Sequence, residues 1–86
     1  MMTLDSSEFK EILAGSIALR GKGVFEDSLQ MLELNLPRMA EECLPTAYLE
    51  IIYTAEEAGQ FEKCLMYAQK LNAMDSHFPD AKKFAR

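Results

Sequence analysis

The stretch YLEIIYTAEEAGQFEKCLMYAQKLNAM, residues 48–74, decides the fold. Tyr48, Ile51, Ile52 and Ala55 recur at the three- and four-residue spacing of one helix face. Beyond Gly59, residues Phe61, Cys64, Leu65, Ala68, Leu71 and Met74 do so again. Two helical patterns broken at a glycine make a helical hairpin. Residues 9–35 repeat the same grammar, and the Gly-x-Phe of Gly23 to Phe25 returns as Gly59 to Phe61, 36 residues later. That offset falls in the period range of helical repeat arrays, so the expected class is a small binding scaffold and not an enzyme.

Outward from this stretch, Asp5-Ser6-Ser7-Glu8 has a capping-box layout, in which Asp5 accepts from orphan N–H groups and Glu8 reaches back. Phe9, Ile12, Leu13, Ser16 and Ile17 follow at helical spacing, and Arg20-Gly21-Lys22-Gly23 ends that helix. Phe25, Leu29, Leu32 and Leu36 form the next face, which Pro37 stops. Residues 38–45 are open between a loop, a short helix, and the first turns of the next helix broken at Pro45. The third helix is expected from Thr46 to Ala58. It carries a second apolar stripe, Leu49 and Tyr53, about a third of the way round from the first. Asp75-Ser76-His77 is turn chemistry, and Pro79 suits the first position of a last short helix anchored by Phe84. The predicted architecture is all-α in one domain: hairpin one over about 5–36, hairpin two over about 46–74, and a terminal helix over about 79–86.

Composition agrees with this and excludes several functions. Of the 86 residues, 49 % are hydrophobic, with one Val and three Pro, which favours helix over strand. The net charge is −5, and residues 1–78 are acidic, so a phosphate backbone is an unsuitable partner. Lys82, Lys83 and Arg86 read as favourable charge at a helix C-terminus. Two isolated cysteines, Cys43 and Cys64, make no disulfide framework, and no signal peptide or bilayer-length apolar run is visible. The expected location is the reducing cytoplasm, without membrane insertion.

Catalytic and cofactor readings find little support. Five residues separate Gly15 from Gly21, where a phosphate loop needs four, and Gly23 replaces its Ser or Thr. The single histidine, His77, has no second ligand at helical spacing and no visible nucleophile beside it. Glu41-Glu42 and Glu56-Glu57 are adjacent pairs that point to different helix faces. No catalytic residue, cofactor or metal is assigned.

These residues resemble the tetratricopeptide repeat. Gly59, Phe61, Cys64 and Met74 stand where that repeat has its inter-helix Gly, an aromatic, a small packing residue and an aliphatic. Tyr48 takes the place of the opening Trp and Ile51 that of the Leu three residues on, while Gly23, Phe25, Ser28 and Leu32 echo the pattern in hairpin one. The sequence departs from the pattern at Ile52, where a Gly or Ala is usual, at Ser76, where Pro is usual, and at Ile12, which opens the first repeat. Residues 17–23, IALRGKG, and 59–71, GQFEKCLMYAQKL, are also similar to phrases of the small repeat-fold chaperones of type III secretion needle subunits, the YscG/PscG type. That resemblance implies a cytosolic chaperone that holds the amphipathic C-terminal helix of a needle subunit in a concave groove, with a small helical co-chaperone completing the complex.

In repeat geometry the first helix of each hairpin lines the concave side, which places Leu13, Ile17, Leu49 and Tyr53 there as candidate partner-binding residues. Lys10 and Arg20 fall near the ends of the first helix. An apolar groove of this kind suits the apolar face of a guest helix. Two hairpins are fewer than the ~3 repeats that stabilise a stacked array, and a partner would supply the missing burial. The same faces also permit a second reading, a self-associating adaptor that forms a homodimer and has no chaperone role. Each of the four residues could equally belong to the core, and the Met residues could be gap-fillers.

Overall fold

The computed structural model describes residues 3–74, and these form four α-helices: α1 (Ser6–Gly21), α2 (Phe25–Asn35), α3 (Leu44–Glu57) and α4 (Phe61–Ala73). The capping box is formed as expected at α1. The Asp5 carboxylate accepts from the Glu8 N–H at 2.8 Å and the Asp5 N–H donates to Glu8 Oε1 at 3.0 Å. Together these satisfy two backbone donors that a helix start leaves orphaned.

The 36-residue offset is visible atom by atom in the two hairpin turns. Gly23 and Gly59 have φ of +79° and +76°, a region glycine enters without a steric penalty. Around Gly23, the Val24 N–H donates to the Leu19 carbonyl at 2.9 Å and the Gly23 N–H to Arg20 at 2.9 Å. Around Gly59, the Gln60 N–H donates to Ala55 at 2.8 Å and the Gly59 N–H to Glu56 at 3.1 Å. This 6→1 and 5→2 pairing is a Schellman motif, made twice at equivalent positions. The residues that open the second helices match too, with φ −91°, ψ 70° at Val24 and φ −91°, ψ 72° at Gln60. A cross-helix bond is also repeated: Ser28 Oγ donates to the Ser16 carbonyl at 2.7 Å, and Cys64 Sγ to the Ile52 carbonyl at 3.4 Å. The two helix pairs therefore share one turn chemistry at a 36-residue offset, which makes this all-helical fold repeat-like.

The most extensive helix contact is α3 with α4, followed by α1 with α2 and then α2 with α3; α1 meets α3 over a smaller area. The core runs through Leu29 and Leu32 of α2, Ala47, Ile51, Ile52 and Ala55 of α3, and Tyr67, Ala68 and Leu71 of α4. Within hairpin one, Gly15 permits close approach, since a Cβ there would stand 3.0 Å from Met31 Sδ. Two ties bind α2 to α4. Glu33 accepts from Lys63 Nζ at 2.7 Å and from the Tyr67 hydroxyl at 2.9 Å. Gln60 donates to Glu26 from the opposite end.

Three details differ from the sequence reading. Of the alternatives open for residues 38–45, the structure takes the short helix: 3₁₀ turns at Leu36–Arg38 and Glu41–Cys43 lead into α3, which starts at Leu44 rather than Thr46. Pro45 lies in the first turn of α3, where its missing N–H has no partner to lose, and it is buried rather than a breaker. The N-terminus is tied down, because the Leu4 N–H donates to the Arg38 carbonyl at 2.7 Å while Leu4 packs into the core. The expected turn at Asp75-Ser76-His77 and the terminal helix over 79–86 with Phe84 lie outside the described residues.

Candidate partner-binding surface

Leu13 and Ile17 lie one turn apart on α1, and Leu49 and Tyr53 one turn apart on α3. The four are repeat equivalents, Leu13 with Leu49 and Ile17 with Tyr53. Both helices are the first of their hairpins, and α1 meets α3 over a small area.

The structure divides them into two kinds. Ile17 and Tyr53 are 40 % and 38 % exposed and line one open cleft with Arg20, Gly21, Glu56 and Glu57. Leu13 and Leu49 are half-buried, packed against the core. They form no wall of that cleft. Arg20 spans the cleft's end: Nη2 stands 3.4 Å from Glu50 Oε2 and Nε 3.6 Å from Glu57 Oε2, tying α1 to α3. Lys10 is exposed on α1 and does not line the cleft.

Chemically, the cleft offers two apolar walls and a rim of Glu56, Glu57 and Arg20, in which Arg20 is paired with Glu57. Among the described residues there is no cluster of three or more His, Cys, Asp or Glu. Every buried side-chain nitrogen or oxygen there has a hydrogen-bond partner. Two groups titrate abnormally, both through burial. The Tyr67 hydroxyl is pushed up by burial and then by its hydrogen bond to the Glu33 carboxylate. Burial, with the nearby Glu56 charge, pushes the Cys64 thiol up, which keeps it protonated and a poor nucleophile at neutral pH.

A second apolar surface is absent from the sequence reading. Phe61 and Leu65, expected on the buried face of α4, are 68 % and 55 % exposed, whereas Tyr67 is buried in their stead. With Ile52, Glu56, Cys64 and Ala68 they line a strip along the α3–α4 groove. Periodicity places these residues on one stripe but cannot tell a covered stripe from an uncovered one. The signal that separates them is the 36-residue offset, because it shows which hairpin has a further helix beside it. No helix of the described residues is long and apolar enough to cross a membrane. Comparison with protein-family models, with curated proteins and with solved structures finds no match for this chain.

Proposed function

We propose that this protein is a tetratricopeptide-like, two-repeat binding module that acts as a cytosolic chaperone for an amphipathic helix, with the type III secretion needle subunit as its guest. The observation that carries this reading is the cleft between α1 and α3, where Ile17 and Tyr53 present apolar side chains at repeat-equivalent positions. Such a cleft takes the apolar face of a guest helix through anchors at i, i+3, i+4 and i+7. Glu56 and Glu57 on its rim favour Lys or Arg flanking those anchors. Covering ~200 Å2 of apolar surface contributes about 5 kcal/mol before the entropic costs of association. For a two-repeat fold that is a large fraction of the total stability. A small helical co-chaperone belongs to this reading as the second partner.

The test is fluorescence anisotropy with a labelled peptide spanning the C-terminal helix of a needle subunit. Tyr53→Asp and Ile17→Asp, the two apolar walls, are expected to weaken binding at least ~10-fold, the loss that follows from removing a central apolar anchor. Glu56→Lys is expected to change it less, through the rim charge. Circular dichroism of each variant confirms that the helices remain. Equal binding by all three variants overturns the cleft assignment. The rival reading, a homodimeric adaptor, requires a symmetric dimer of the isolated chain in light scattering and no peptide capture.

A further inference from the structure

The two hairpins are built alike but finished differently. In hairpin one, the face made by Ser16, Ser28, Leu29 and Leu32 is sealed, with each residue at or below 1 % exposure. Here α3 packs against α2. The residues 36 positions later are Ile52, Cys64, Leu65 and Ala68. Ile52 and Ala68 form the buried floor of the α3–α4 strip, while Leu65 is 55 % exposed and its neighbour Phe61 is 68 % exposed. Leu29 and Leu65 are thus the same position in the repeat, one covered and one bare. What covers hairpin one is the chain segment that follows it.

We infer that residues 75–86 of this chain cover the strip, as α3 covers hairpin one. Three observations select this occupant. The segment follows directly from Met74, the C-cap of the helix that carries one side of the strip. Its sequence, DSHFPDAKKFAR, stands in repeat register with α3: residues 80–86 correspond to 44–50, with Ala81 at the place of Pro45 and Phe84 at that of Tyr48. Its charge is complementary, since it carries Lys82, Lys83 and Arg86 and the strip is bordered by the Glu56 carboxylate. Lys83 stands in register with the buried Ala47, a position where a long side chain with an apolar stem and a charged tip is compatible with a strip bordered by a carboxylate. This strip shares only Glu56 with the α1–α3 cleft, and the inference does not depend on what that cleft binds.

Cys64 provides a reporter inside the strip. In the full-length chain with Cys43→Ser and either Ala81→Cys or Phe84→Cys, mild oxidation is expected to convert more than half of the protein to an intrachain disulfide with Cys64 in at least one of the two variants. The yield should not depend on protein concentration. Adding Leu65→Asp, a change at an exposed position, is expected to slow that crosslink about tenfold, because the open population rises as the contact is lost. In the chain with no added cysteine, Leu65→Asp is likewise expected to speed tryptic cleavage at Lys82 and Lys83 about tenfold. Disulfide-linked dimers that grow with concentration would overturn the inference in favour of a second copy on the strip. An absent intrachain crosslink, or crosslinking and proteolysis indifferent to Leu65→Asp, would overturn it in favour of a segment that does not dock there.

Discussion

Hairpin one and hairpin two share a turn, a cross-helix hydrogen bond and a spacing, yet one has a sealed outer face and the other a bare one. The local code is therefore the same in both, and the difference comes from position in the stack. Leu29 is buried on α2, and α2 packs against α3, which lies outside its own hairpin. Leu65 has the same local surroundings but no described neighbour of that kind. Burial in a stacked fold belongs to the interface between repeats, and each repeat supplies half of it.

The sharpest way to break this comparison is to truncate the two equivalent leucines. Leu29→Ala is expected to cost about 2–5 kcal/mol in urea denaturation, the range for a sealed core position. Leu65→Ala should cost under about 2 kcal/mol, and comparable losses would show that the two faces are equally enclosed. Next in size are the glycines: Gly23→Ala and Gly59→Ala each force a Cβ into positive φ and should cost about 1–2 kcal/mol. The two losses are expected to agree closely. Gly21→Ala, at a helical position with open space around it, should be neutral or stabilising.

Smaller effects sharpen the comparison further. Ser28→Ala removes a 2.7 Å hydrogen bond to Ser16 and should cost about 0.5–1.5 kcal/mol. Cys64→Ala removes the weaker thiol bond at 3.4 Å and should cost less. The smallest expected difference concerns pH. The raised Tyr67 hydroxyl favours its neutral form in the folded state, so its contribution is fully present below the ordinary tyrosine value near ~10. It is lost as pH rises above that value. Thermal melts should show this alkaline loss in the native chain and a shallower one in Tyr67→Phe, both measured against their own neutral-pH melting temperatures.

The helices themselves were legible because apolar spacing and glycine placement act locally, as at Phe9 to Ile17 or at Gly59. The capping box was equally readable, since Asp5 and Glu8 need only each other. The linkage between hairpins was not. Pro45 looks like a breaker until it is seen inside a first turn, and no local pattern announces that the Leu4 N–H will meet the Arg38 carbonyl. The candidate site divides on the same line. Ile17 and Tyr53 came together in one cleft, whereas Leu13 and Leu49 lean inward, because the amount of wall each leaves open depends on how closely α1 approaches α3. Phe61 and Leu65 were placed on the right stripe but assumed covered.

Arg20 has a consequence for that approach. Its guanidinium stands against Glu50 and Glu57 of one neighbouring helix, so it ties the two walls together at one end of the α1–α3 opening. On the proposed reading, a lodger helix meets a doorway already braced at that end, and selection among lodgers becomes a matter of girth as well as of greasiness.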